Sequence, residues 1–207
     1  PIYLDIIIEP QTRTPAFYRG RALPTYQSTV NATAVLNGGQ LLPSSHIYTW
    51  RLNNTTLEGG AMRGNSSVSF TVPRGEVAIV GLEVAEADGT IIARRNVSMR
   101  IVEPTLAFYE VSTLYGLSSR AITDSIPLVG SSVSVRAEPY YLDLATYNNP
   151  DLLEWQIDNV ITQNTSINPY EVTMAQNGYT GSSMIEFHVR NTKQVLQGAR
   201  GSFRLTY

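Results

Sequence analysis

One stretch occurs twice in this chain. Ile47-Tyr48-Thr49-Trp50-Arg51-Leu52-Asn53-Asn54 returns as Leu152-Leu153-Glu154-Trp155-Gln156-Ile157-Asp158-Asn159, and its tryptophans are the only two present, 105 positions apart. In each copy an apolar residue stands three before and two after the Trp, and an Asn/Asp-Asn pair closes the run. A short apolar run with a central Trp, ended by turn residues, reads as a buried strand that carries the largest side chain of a core. In a two-sheet sandwich that is the place of the Trp on the third strand.

The flanking sequence repeats in register. Val30, Ala32 and Ala34 alternate as Val133, Val135 and Ala137 do, and Val80, Leu82 and Val84 as Ile185, Phe187 and Val189 do. Val68, Phe70 and Val72 form another alternating set, Asp88-Gly89 is a hairpin signal, and a last strand runs from Ile91 to Val102 with a bulge near Arg94 and Arg95. No window keeps a 3.6-residue apolar period, so the chain reads as all-β. A repeat of about 100 residues in a 207-residue chain predicts two tandem immunoglobulin-like β-sandwiches, residues 1–103 and 104–207. The joint at Ile101-Val-Glu-Pro-Thr-Leu106 has no flexible spacer, which predicts a stiff pair. Phe108-Tyr109 echoes Phe17-Tyr18. On that alignment the second copy is longer before its next strand, and Val111–Gly130 is a surface insertion that marks an interaction face.

Tyr3–Pro10 resembles Ser98–Pro104, and both runs end in Glu-Pro. The N-terminal run therefore looks like the last strand of a preceding domain. It either folds back as the first strand of domain 1, or residues 1–9 add to a neighbouring molecule's sheet beside Gly201–Tyr207 and build a head-to-tail filament. Tyr3, Ile6 and Ile8 are the interaction residues that this reading puts forward.

Thr14-Pro-Ala-Phe-Tyr-Arg-Gly-Arg-Ala-Leu23 and Thr180-Gly-Ser-Ser-Met-Ile-Glu-Phe-His-Val-Arg-Asn-Thr-Lys-Gln-Val-Leu-Gln197 resemble tandem immunoglobulin-like exported proteins of candidate-phyla bacteria (Patescibacteria). In that group a second Pro is usual where Ala16 stands, and Trp-Glu-Ala where Ile8-Glu9-Pro10 stands. The resemblance spans the chain and implies an exported, surface-associated protein; it brings no activity with it.

Composition narrows the function classes. Charged residues are 15% of the chain and the formal net charge is −2, with no basic stripe for nucleic acid and no polybasic patch for a membrane surface. With no cysteine, disulfides, thiol nucleophiles and Cys-based metal sites are excluded. No apolar run is long enough for a membrane span, and an opening Pro1 in place of Met implies processing or truncation. His46, in a Ser-Ser-His turn, and His188, between Glu186 and Arg190, are the only histidines, and no nucleophile-elbow motif accompanies either. Carboxylates are sparse, with no paired set for glycoside hydrolysis and no Asp-rich loop for Ca²⁺. No enzyme activity, cofactor or metal is expected.

The expected function is a non-catalytic extracellular structural or adhesive module at a cell surface, with protein partners that include further copies of itself in a filament or layer. The alternative is a module that binds a surface glycan. Its aromatic face would come from the Tyr-rich second domain, through Tyr140, Tyr141 and Tyr147, with Tyr115 in the insertion.

Overall fold

The computed structural model describes residues 2–38, 43–164, 166–176, 178, 180–194 and 196–207. They fall into two compact units, Pro1–Thr12 with Ala22–Val102, and Arg13–Arg21 with Glu103–Tyr207.

In the first unit, alternating apolar side chains build two antiparallel sheets around one core. One sheet holds β1 (Tyr3–Pro10), β2 (Thr29–Asn37) and β5 (Ser67–Thr71) in the order β1-β2-β5. The other holds β3 (Ile47–Leu52), β4 (Thr55–Arg63), β6 (Val77–Ala85) and β7 (Ile91–Arg100) in the order β4-β3-β6-β7. Val30, Ala32, Phe70, Ala78, Val80, Leu82 and Val84 face inward around Trp50, as their period of two requires. The bulge of the last hairpin lies at Val84/Ala85, across from Ala93 and Ile91, and not at Arg94 and Arg95.

The second unit repeats the plan. One sheet runs β14-β11-β8-β9, from β8 (Thr105–Ser112), β9 (Gly116–Ile122), β11 (Ser132–Tyr140) and β14 (Glu171–Ala175). The other runs β10-β16-β15-β12-β13, from β10 (Ser125–Pro127), β12 (Leu152–Ile157), β13 (Val160–Thr162), β15 (Ser182–Arg190) and β16 (Gly198–Thr206). The five-residue helix α1 (Leu144–Asn148) is capped by Asp143, whose carboxylate accepts from the Ala145 and Thr146 amides. Trp155 sits against Phe108 and Phe187 in the core.

The repeat reaches into hydrogen bonds. Trp50 Nε1 donates to Asn65 O at 2.9 Å and Trp155 Nε1 to Pro169 O at 3.0 Å, each carbonyl lying two residues before an edge strand of the facing sheet, β5 or β14. Both hairpins after the Trp strands turn on two left-handed residues, Asn53 and Asn54 (φ 48° and 66°) and Asp158 and Asn159 (φ 49° and 66°). That is a two-residue type I′ geometry, which suits Asn and Asp. In each, the first side chain accepts from the next strand: Asn53 Oδ1 from Ile79 N at 2.9 Å, Asp158 Oδ1 from Met184 N at 2.8 Å.

Strand register corrects the Phe-Tyr alignment. Ile6 pairs with Ala34 and Phe108 with Ala137, so Phe108 is the counterpart of Ile6 and not of Phe17. Ile6 to Ala34 spans 28 positions and Phe108 to Ala137 spans 29, so Val111–Gly130 is no insertion. Nor is it wholly superficial. Its β10 pairs in parallel with β16, and Ile126 is only 8% exposed in the core, with Ile122 and Leu128 packed against it. The first unit makes the same parallel step as a single bridge, Thr25 to Val102.

Candidate functional site

β1 pairs with β2 along all eight residues and carries three of the residues put forward from sequence. Ile6 is 6% exposed in the core and Ile8 packs against it, while Tyr3 points outward beside exposed Ile7 and Val35. The run thus folds back within the first unit, as the adjacency of sequential elements favours. Its inward side chains are spent on that unit's own core.

Tyr140 and Tyr141 lie ring to ring at 6.1 Å, while Tyr147 packs against Tyr170 and Arg13. Residues 13–21 join the cluster through a paired backbone, Arg13 N to Leu142 O and Tyr141 N to Arg13 O, both 2.7 Å. Tyr109 and Tyr140 share a hydroxyl hydrogen bond at 2.6 Å, Tyr18 and Tyr141 one at 2.7 Å. Phe17 meets the Tyr109 ring edge-on at 5.1 Å, and Tyr147 stacks on Tyr170 at 4.6 Å. Arg13 lies over the Tyr147 ring and pairs with the buried carboxylate of Glu138 at 3.1 Å. Burial first, then the hydrogen bond to Tyr109, pushes the Tyr140 phenol well above its ordinary range, and burial does the same for Tyr170. Both phenols stay protonated at any physiological pH. Tyr18, Tyr140 and Tyr141 meet edge to face, Tyr109 and Tyr140 and likewise Tyr18 and Tyr141 pair through their hydroxyls, and Tyr147 is held between the Tyr170 ring and Arg13.

Tyr115 lies elsewhere. It sits with Leu114 at the tip of the β8–β9 hairpin, and the two are 89% and 85% exposed. The tip is held rather than loose, since Ser112 Oγ accepts from the Leu114 and Tyr115 amides at 3.2 and 3.3 Å. Gly116 supplies the left-handed residue, φ 72°, that returns the chain into β9. Val111 pairs with Ser134, so the connection into β11, which carries exposed Val129, reaches the same end of the sheet. The sequence singled out Tyr115 but not Leu114 or Val129, whose apolar character without a strand pattern around it was the available signal.

Two features bear on chemistry. Ser45 Oγ stands 3.3 Å from His46 Nδ1, beyond the ~2.6–3.2 Å of a working nucleophile–base pair, and the His46 ring is buried. His188 is half-buried, its Nδ1 4.0 Å from Glu154 Oε1. Among the described residues no three His, Asp or Glu side chains converge as metal ligands do, and no helix is long and apolar enough to cross a membrane.

No protein-family model matches the chain, and no curated protein does. Solved structures do match. The three N-terminal domains of the bacteriophage RB49 highly immunogenic outer capsid protein, Hoc, align over 100% of this chain at 12% identity with a TM-score of 0.51. The chain spans 59% of that Hoc structure. Sidekick-1 immunoglobulin domains 1–5 align over 98% of this chain and 38% of theirs, at 16% identity and a TM-score of 0.32. A C-terminal intimin fragment, solved with the intimin-binding domain of its translocated receptor, aligns over 100% and 64%, at 14% and 0.31. The fold is a tandem pair of immunoglobulin-like sandwiches. Strand order decides it together with the Hoc match: three strands face four in the first unit, and in each copy the Trp strand, β3 or β12, pairs with the long strand β6 or β15 of its sheet. At such identities the likeness concerns fold alone.

Proposed function

We propose that the chain is a non-catalytic structural or adhesive module displayed outside the cell, and that it holds a protein partner through the β8–β9 hairpin tip. The observation that carries this is the pinned, almost fully exposed pair Leu114-Tyr115. A folded chain gains nothing from placing two large apolar side chains in water, whereas a partner that covers them gains roughly 1.5–3 kcal/mol for a side chain the size of Leu. A turn already fixed by Ser112 loses little entropy on docking. Tyr is also enriched among the residues that dominate protein interfaces. Display outside the cell agrees with the low charge, with the Ser-, Thr- and Asn-rich surface, and with a fold shared with an outer capsid protein.

The partner class includes a second copy of the chain, with the assembly into a filament or layer that this brings. Assembly by donation of residues 1–9 is not part of the proposal, because Ile6 would leave its own core. The test is retention of chain-coated beads on the source cells, parent against Leu114→Ser/Tyr115→Ser. Loss of retention with an unchanged unfolding transition supports the proposal, and full retention by the variant refutes it. Sedimentation velocity across a concentration series separates self-association from a foreign partner.

A further inference from the structure

Because the two units are copies, each position of one has a counterpart in the other, and the differences mark what the fold itself does not require. Four differences fall together. The third residue after the turn pair is Leu57 in the first unit and Thr162 in the second. The residue paired with Val30 is Phe70, and that paired with its counterpart Val133 is Met174. Ala78, paired with Met99, corresponds to Ser183, paired with Leu205. Two residues beyond those partners stand Ile101 and Tyr207. In the first unit Leu57, Phe70, Ala78 and Ile101 all lie in the core or pack against it. The second unit has a shorter side chain at the first of these positions, a thinner one at the second and hydroxyls at the other two.

The consequence is a cavity of about 480 Å³ at the side of the second sandwich. It is open there because β13 stops at Thr162, whereas β4 continues to Arg63. The stop is built in: Asn164 Nδ2 donates to Pro169 O at 3.1 Å and to Glu171 O at 2.7 Å, and its Oδ1 accepts from Ser166 N at 3.0 Å. Val172, Met174, Ile185 and Leu205 form the apolar floor, and Thr162, Gln163, Ser183 and Tyr207 supply polar groups. Ser183 Oγ and Tyr207 OH share a hydrogen bond at 2.9 Å in which either can donate. None of the described residues that line the cavity is charged.

We propose that this cavity binds a neutral, amphipathic small molecule, an apolar ring or short chain that carries a hydroxyl group. The volume lies in the range of roughly 300–1,000 Å³ typical of small-molecule sites. An apolar floor accommodates the body of such a ligand and lowers its exposure to water. The Ser183–Tyr207 pair keeps one O–H proton and further lone pairs to turn toward a ligand hydroxyl. A charged ligand is disfavoured, since no counter-charge lines the wall and desolvation would go uncompensated. The site is independent of the hairpin tip, so either proposal stands or falls alone.

The probes are cyclohexanol and p-cresol, with cyclohexanecarboxylate as the charged control, titrated into the full chain labelled with ¹³C at the methionine methyls. There are four methionines; Met174 reports the cavity, and Met62 and Met99 in the first unit are internal references. The expected result is a saturable millimolar shift of Met174 with both neutral compounds, and binding of the carboxylate weaker by roughly tenfold or more. Thr162→Leu, which installs the first unit's residue, should abolish saturation. Ser183→Ala, likewise the first unit's residue and a milder change, should weaken cyclohexanol by roughly tenfold through loss of the hydroxyl pair. It keeps the test open should Thr162→Leu not fold. A flat Met174 signal, unchanged saturation in a folded Thr162→Leu chain, or equal binding of the carboxylate would each overturn the proposal.

Discussion

Replacement of each tryptophan by phenylalanine should cost the two units different amounts, although the residues are equivalent by repeat. Both indoles are 1% exposed, and both exchanges remove the same ring atoms, so the loss of buried surface is closely matched. The hydrogen bonds are not matched. Among the described residues Asn65 O takes no hydrogen bond besides that of Trp50, and Trp50→Phe leaves a carbonyl without its donor, which costs about 1–3 kcal/mol. Pro169 O also accepts from Asn164 Nδ2 at 3.1 Å, so Trp155→Phe removes one of two donors and costs about 0.5–1.5 kcal/mol for that bond. The first unit should therefore lose about 1 kcal/mol more, or roughly 4–8 °C more in its transition. Each variant retains one Trp, in the unaltered unit, and its fluorescence should report an unchanged transition there. Far-UV circular dichroism in urea follows both units together, and the part of its transition that the Trp signal lacks belongs to the altered one. Equal losses, or a greater loss in Trp155→Phe, would refute the argument from carbonyl satisfaction. Truncation to Ala at either site should cost about 3–5 kcal/mol, and a unit that keeps parental stability after it does not have that Trp at its centre.

Asn53→Ala and Asp158→Ala should each cost about 1–3 kcal/mol by urea unfolding, since both lose a bond to the next strand and place Ala at positive φ. Ile126→Ala should destabilise the second unit by about 2–5 kcal/mol, while Tyr115→Ser should stay within about 0.5 kcal/mol of the parent; the reverse order would return Val111–Gly130 to the status of a dispensable insertion. Burial, then Arg190 and Arg200, hold the His188 pKa below its ordinary value, against the opposing pull of Glu154. The unfolded chain then binds the extra proton first as pH falls below about 6.5, so this contribution is complete above that pH and is lost beneath it. His188→Gln should flatten the stability profile there, and an unchanged slope would exclude His188 as its source.

The cores were legible in the sequence because a buried strand has to alternate. Val30, Val80, Phe187 and the two tryptophans are inward by that rule alone, and the Asn/Asp-Asn pairs named their turns. β4 was not legible, since Gly59 and Gly60 interrupt its pattern with positive φ and most of its side chains face water. β9, β10 and β13 are short, polar or at edges, where packing sets the pairing and side-chain pattern does not. The Phe-Tyr echo misled because composition matched where register did not, and Phe17-Tyr18 lies outside any strand. Of the candidate residues, Tyr140, Tyr141 and Tyr147 are alike in sequence to Tyr115. What separates them is a partner 123 positions away, Tyr18 on Tyr141, which no local pattern encodes.

The proposed role of the hairpin tip is tested most directly by retention of the purified chain on its source cells, measured in parallel for the parent, Leu114→Ser/Tyr115→Ser, and a control altered at Val160 and Ile161, which are also exposed but on β13. The account predicts that the tip variant is retained at least about tenfold less, a loss of roughly 1.4 kcal/mol, while the β13 control is retained like the parent and all three unfold at the same temperature. Undiminished retention of the tip variant, or loss confined to the β13 control, would contradict it.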